Sequence, residues 1–239
     1  MIYKWMRSIG TVIFFLTLSL FTSESKAQPF DFGITAGVNI SSHLKNFKYF
    51  DNNVQLDLKP QIAANYQVGL IGRAKITNSL RFQLEPSVAL LGARYDDYTR
   101  FETQRFKTKG RTELIYLQVP LLLQLSTVPS HETVYGLPFA STTYHVSGGI
   151  FGGYLLDARF TGSNSGTAPS PGDFSNDVSD QYSDYDGGVV LGLGLEHGYK
   201  SKFGIEIRGL FSVFDNGNGS NPNFKPQNMA ASLSIYYLF

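Results

Sequence analysis

The chain has 239 residues with a formal net charge of +1, 24 glycines, no cysteine, 14% aromatic and only 16% charged residues. A balance so close to neutral gives no reason to invoke a nucleic-acid partner, and no polybasic tail suggests a peripheral membrane anchor. Without cysteine there is no disulfide framework, so pairing and packing must hold the fold together.

The N-terminus reads as an export signal. Lys4 and Arg7 form a positive n-region and Ile9 to Phe21 an apolar h-region, and Ser25-Lys26-Ala27 puts small residues where a signal peptidase reads them. Cleavage is expected between Ala27 and Gln28, giving a signal peptide over 1–27 and one domain over 28–239. The apolar run is short for a spanning helix. Downstream, the longest candidate, Val146 to Leu156, is about half the ~20 residues a transmembrane helix needs. A membrane crossing must therefore use strands closed into a barrel, because inside lipid every backbone N–H and C=O must be paired.

From Phe30 onward a two-residue rhythm returns about eight times. Strand one, Phe30 to Ser41, sets Phe30, Phe32, Ile34, Ala36, Val38 and Ile40 against Asp31, Gly33, Thr35, Gly37, Asn39 and Ser41. A helix would scatter these residues around its circumference; a strand sorts them onto two faces. Strand two is expected over about Tyr66–Ile76 and, after the turn Thr77-Asn78-Ser79, strand three over Leu80–Leu90. Strand four covers about Glu113–Leu125, strand five Tyr144–Arg159 and strand six Tyr185–Tyr199. Lys200-Ser201-Lys202 turns into strand seven, Phe203–Phe214, and strand eight ends the chain with Leu233, Ile235, Tyr237 and Phe239 on one face. Pro120 lacks an N–H, so a bulge or kink is expected in strand four. The glycines from Gly148 to Gly153 read as points where a wall bends.

The pattern predicts an all-β, eight-stranded antiparallel up-and-down transmembrane barrel. Residues 42–65, 96–112, 160–184 and 215–228 read as long polar external loops and 77–79 and 200–202 as short periplasmic turns. The link over 126–143 is long where a short turn is expected; a small extra hairpin would occupy it. A lipocalin-like soluble barrel would be apolar inside. Here the polar face carries Arg73, Arg81, Glu85, Glu196, Glu206 and Arg208, which favours a charged lumen and a lipid-facing exterior. Aromatics at the strand ends, Phe30, Phe32, Tyr199, Phe203, Tyr237 and Phe239 at one rim and Tyr66, Tyr154 and Tyr185 at the other, read as interfacial girdles.

The run Leu114-Ile115-Tyr116-Leu117-Gln118-Val119-Pro120-Leu121-Leu122-Leu123 resembles a strand of the PorT-like outer-membrane barrels of Bacteroidetes, with Gln118 in place of a common acidic residue. Gly33 to Asn39 resembles that family's first strand and Gly187 to Glu196 its sixth. The resemblance implies insertion by the barrel assembly machinery of a Gram-negative outer membrane, with Ile235, Tyr237 and Phe239 looking like its C-terminal signal. It also implies outer-membrane lipid and lipopolysaccharide as surroundings, and an alternative role as accessory to a secretion machine of the type IX kind.

The candidate chemistry is sparse. The lumenal charges read either as a structural network that plugs the barrel or as a polar pore or ligand site. The basic stretch 100–111 and the acidic stretch 173–186 could attract each other, or the basic one could meet lipopolysaccharide phosphates. Asp173, Asp177, Asp180, Asp184 and Asp186 do not follow an EF-hand spacing, and Asp215-Asn216-Gly217 matches a turn as well as a calcium loop. Four histidines, His43, His131, His145 and His197, with Ser41 near His43, raise the alternative of a lipid-modifying enzyme, yet no Gly-x-Ser-x-Gly elbow is present. The reading is a non-enzymatic barrel with no catalytic residues, cofactor or metal, acting through its external loops.

Overall fold

The computed structural model describes residues 30–50, 54–101, 104–128, 133–134, 137–138, 140–165, 172–219 and 225–239. The signal segment, Ala27 and Gln28 with it, and His131 lie outside the described residues. The wall consists of β1 (Phe30–His43), β2 (Ala63–Lys75), β3 (Leu80–Leu84 and Ser87–Leu91), β4 (Gln104–Ser126), β5 (Ser141–Ser165), β6 (Tyr185–Gly198), β7 (Lys202–Ser212) and β8 (Asn228–Leu238). Each strand pairs antiparallel with the next. β8 returns to β1 from Gly33↔Leu238 through His43↔Asn228, which closes the ring. The fold is an eight-stranded up-and-down barrel, and closure removes the open edges that a flat sheet would expose.

The alternation sorts side chains as the pleat requires. Phe32, Leu70 and Leu193 are 57%, 60% and 64% exposed on the outside, whereas Arg73 and Glu206 have no exposed surface inside. On β1 the outward apolar band runs from Phe30 to Ile40. At ~3.3 Å per residue and a tilt of ~40° these eleven positions span about 25 Å, the height of a bilayer's hydrocarbon band. Ring pairs edge the band: Phe30 and Phe32 with centroids 4.5 Å apart, Tyr237 and Phe239 at 5.3 Å, and Tyr154 and Tyr185 at 5.5 Å.

Of the bulge or kink expected at Pro120, the register shows no bulge. β4 keeps one register past Pro120, with Leu84↔Leu121 and Ser87↔Gln118 on one side and Phe151↔Pro120 on the other. The Glu85 N–H donates to the Pro120 carbonyl at 3.1 Å, and Pro120 has no N–H to return the bond. One position further along β3, Pro86 likewise accepts from Leu70 N at 2.9 Å and returns nothing. The wall thus omits two ladder bonds without slipping, which is why β3 is interrupted between Leu84 and Ser87. The register shift lies instead on β5, between Leu155 and Asp157. One extra residue there inverts the pleat: Tyr154 and Leu156 face out, Leu155 faces in, and beyond the shift Ala158 is the buried residue.

The expected external loops are also largely strand. β4 starts at Gln104 and β5 runs to Ser165, well beyond the apolar band. Arg94–Phe101 pairs with upper β4, Gly172–Asp177 pairs with upper β5, and Val54–Leu58 and Phe47–Phe50 add two more strands. The wall therefore rises into an open sheet in the order Gly172–Asp177, β5, β4, Arg94–Phe101, Val54–Leu58, Phe47–Phe50. At the other end, the link over 126–143 holds a minimal hairpin, Thr133–Val134 against Leu137–Pro138.

Candidate functional site in the barrel lumen

Seen from the short-turn end, the lumen begins with ion pairs. Arg73 on β2 meets Glu196 on β6 at 2.6 Å, and Arg81 on β3 bonds the other oxygen of the same carboxylate. Tyr236 on β8 donates to Glu196 at 3.2 Å and lies under the Arg73 guanidinium, 5.5 Å from ring centroid to carbon. Arg73 Nε donates to Gln83 at 2.9 Å, and Gln83 passes a 2.9 Å bond to Glu85. Arg208 on β7 then reaches Glu85 at 2.6 Å and Glu206 at 2.7 Å, and Ser147 on β5 completes the Glu206 carboxylate at 2.7 Å. All six sequence-predicted charges, Arg73, Arg81, Glu85, Glu196, Glu206 and Arg208, belong to this one network. It holds three cations and three anions, joined across the barrel rather than along one strand. The lumen admits these side chains because inward glycines leave room: a Cβ on Gly204 would collide with the Tyr236 ring, and one on Gly194 would stand 2.5 Å from the His145 ring.

Above the network a cavity of about 20 Å³ remains, lined by Gln67, Glu85, Gln118, Pro120, Val190 and Arg208. That is space for about one water. Higher still the interior turns apolar. The turn Ser179–Gln181 dips into the mouth, so that Val178 and Tyr182 pack with Leu91, Leu114, Tyr116, Leu155 and Ala158. Phe160 joins this cluster to a second one of Leu58, Ala93 and Tyr95. Val178 N donates to Ala158 O at 3.0 Å and Asp177 accepts from Ser179 N at 2.9 Å, which pins the turn. Burial raises the hydroxyl pKa of Tyr95 and Tyr182, so both stay neutral. His43, three residues beyond the apolar band, lies 6.3 Å from the Tyr182 ring, and burial pushes its pKa down to about 4.

Residues 23–217 match the model of a family described as the outer membrane protein beta-barrel domain. The chain belongs to that family. No curated protein matches it. Among solved structures it is similar to the outer membrane protein OprG from Pseudomonas aeruginosa, with 14% identity over 89% of this chain and 97% of that one and a TM-score of 0.45. It is also similar to Ail, the attachment invasion locus protein of Yersinia pestis, in complex with the heparin analogue sucrose octasulfate, with 11% identity, 88% and 99% coverage and a TM-score of 0.37. Neisserial surface protein A is a third, with 9% identity, 86% and 95% coverage and a TM-score of 0.37. The family places this barrel in the outer membrane of a Gram-negative bacterium.

Among the described residues the other candidates of this outer-membrane barrel do not gather into a catalytic or metal constellation. Ser41 donates to Gly92 O at 2.9 Å and accepts from Asn65 at 2.7 Å, while His43 pairs with Thr112 at 3.2 Å, so serine and histidine do not form a nucleophile–base pair. His145 stands 3.7 Å from Glu206 within the ion network, and His197 meets Thr142 at 2.9 Å. Among the described residues no three of His, Cys, Asp or Glu cluster to hold a metal. Asp215 accepts from Gly217 N at 3.1 Å, an ordinary turn. Lys107 of the basic stretch pairs with Asp96 at 3.0 Å, while Arg159 on upper β5 pairs with Asp157 at 3.0 Å and stands opposite Asp177 of the acidic stretch in the ladder. Ile235, Tyr237 and Phe239 line the outward face of β8, and Phe239 N donates to Phe32 O at 2.8 Å. The apolar plug had no sequence signal beyond Val178 and Tyr182 interrupting a polar, aspartate-rich stretch.

Proposed function

We propose that this barrel is a closed, non-enzymatic outer-membrane protein that acts by presenting its external sheet to partners outside the cell. The observation that supports this reading most is the pairing of a lumen filled at two levels with strands that continue past the lipid band into a sheet whose outer edges are open among the described residues. A chain selected for conduction has no use for a neutral ion cluster and an apolar stopper in series, whereas unpaired strand edges are adhesive surfaces. Ile235, Tyr237 and Phe239 serve as the terminal signal that the barrel assembly machinery reads, and the outward bases Arg94 and Lys109 face lipopolysaccharide phosphates.

The experiment has two arms. In planar bilayers the folded protein is expected to show no steady conductance; a reproducible channel overturns the closed-lumen reading. On intact cells, external protease is expected to cut within the 94–111 hairpin or 160–184 and leave the barrel core in the membrane. Full resistance there removes the external sheet as the working surface.

A further inference from the structure

The ion network is neutral as a whole but not from end to end. At the short-turn end Arg73 and Arg81 share one carboxylate, Glu196, whereas above them Glu85 and Glu206 share the guanidinium of Arg208. The mouth below adds more cations. Lys75 ends β2 two residues beyond Arg73, on the same face, and Lys202 starts β7. Lys202 meets Asp31 of β1 at 2.9 Å, and Lys75 makes no ion pair among the described residues. Four cations, Arg73, Lys75, Arg81 and Lys202, thus stand against two anions, Asp31 and Glu196. The terminal carboxylate, on outward Phe239, pairs with none of them.

These cations converge. Lys75 lies directly opposite Arg81 in the β2–β3 ladder, a placement that is destabilising for like charges. The Lys75 and Lys202 ammonium groups come within hydrogen-bonding reach of each other, although each can only donate. Several donors here are unused. Arg81 Nε and Arg73 Nη2, on residues 2% and 0% exposed, have no hydrogen-bond partner. Neither has the side-chain amide of buried Gln124, which faces Arg81 across the β3–β4 ladder. Lys202 gives Asp31 one of its three N–H bonds. Lys75 is only partly buried and 12% of the Lys202 side chain is open, so the group meets the aqueous space that short turns face. Like charges held together beside idle donors are the complement of an anion that only accepts.

We propose that Lys75, Lys202, Arg81 and Gln124 bind a phosphate dianion at the short-turn mouth of the barrel. Its two negative charges match the excess of two. Its oxygens point in four directions, so ammonium, guanidinium and amide can all donate at once. A carboxylate would leave one positive charge unanswered. The phosphate is either free in the periplasm or the head of a phospholipid in the adjoining leaflet, and its chemistry is the same in both. Occupancy ties β2, β3, β4 and β7 together at their rim.

The test is thermal unfolding of the full protein in uncharged detergent at mildly alkaline pH, in dilute sodium phosphate against sodium chloride at equal ionic strength. A second arm replaces phosphate by phosphatidic acid in the micelle, with phosphatidylcholine as its control. Wild type is expected to gain roughly 5–10 °C at a hundredfold excess of ligand over its dissociation constant. Lys75→Met is expected to lose most of that gain while melting no lower than wild type in chloride, because it removes a cation without a partner. Lys45→Met, exposed at the opposite end, is expected to keep the gain. A gain with inorganic phosphate supports a soluble ligand, and a gain with phosphatidic acid alone supports the lipid. No gain in either arm overturns the proposal. So does an equal gain in Lys75→Met and wild type, which is a general salt effect, or a Lys75→Met midpoint below wild type in chloride.

Discussion

Arg208 is the residue whose removal tests the lumenal network most directly. Its side chain is 5% exposed and bonds Glu85, between the two halves of β3, at 2.6 Å and Glu206 on β7 at 2.7 Å. In Arg208→Met the stem of the side chain still fills the space, but both carboxylates lose their cation. Glu85 then retains only Gln83, and Glu206 retains Ser147, with His145 3.7 Å away. Breaking a buried pair by deleting one partner costs about 3–5 kcal/mol, a large part of a domain's ~5–15 kcal/mol. Urea unfolding in lipid vesicles reads this as a lower midpoint, and the same variant should show less of the folded, faster-migrating band on unheated gels. The triple change Arg208→Met, Glu85→Gln, Glu206→Gln removes the stranded charges and is expected to recover most of the loss, since apolar or neutral replacement of a whole buried ion set is often harmless. A midpoint for Arg208→Met within error of wild type refutes the reasoning, and so does a triple variant no better than the single one.

Other predictions are simpler. Gly204→Ala drives a Cβ into the Tyr236 ring and is expected to destabilise by about 1–3 kcal/mol, with Tyr236→Leu in the same chain relieving part of it; additive losses in the double variant count against the contact. The depressed pKa of His43 means that an unfolded chain takes up a proton below the ordinary 6.5 while the folded one does so only near 4. Stability is thus unaffected by this group above 6.5 and falls as pH drops from 6.5 toward 4, by at most about 3 kcal/mol. His43→Gln should flatten that part of the urea midpoint–pH curve, and an unchanged slope shows that another group carries it. Val178→Asp places a charge in the apolar plug and is expected to expose 172–184 to protease without dissolving the barrel; protection equal to wild type would mean that the turn is not packed as described.

The barrel was legible because lipid and lumen make opposite demands on alternate residues, and β1 records both over a dozen positions. The height of the wall was not. Between Arg94 and Arg111 the aromatics Tyr95, Tyr98, Phe101 and Phe106 keep no two-residue spacing among polar neighbours, so the pleat leaves no alternating hydropathy trace once a strand leaves the bilayer. Pro120 causes no bulge because a missing N–H disturbs only the ladder it would have joined, and Pro86 sits beside it on the next strand to leave a matching gap. Leu156, where the pleat inverts, has no unusual chemistry at all. The six lumenal charges were visible as inward residues, but their pairing was not: Arg73 and Glu196 are 123 positions apart, as are Arg208 and Glu85. Asp186 was legible both as an inward position of strand six and as the last of the acidic stretch, and closure of the ring takes it out of solvent.

Those separations bear on how the protein is made. Arg73 cannot find Glu196, nor Arg208 find Glu85, within any single hairpin, so, the local Arg208–Glu206 contact aside, these groups stay hydrated until distant parts of the chain come together. A half-built wall presents naked charge to the hydrocarbon and is rejected by it, whereas the finished cylinder hides every one of the six. Quality control is thereby written into the sequence: the bilayer itself retains the complete product and expels the rest.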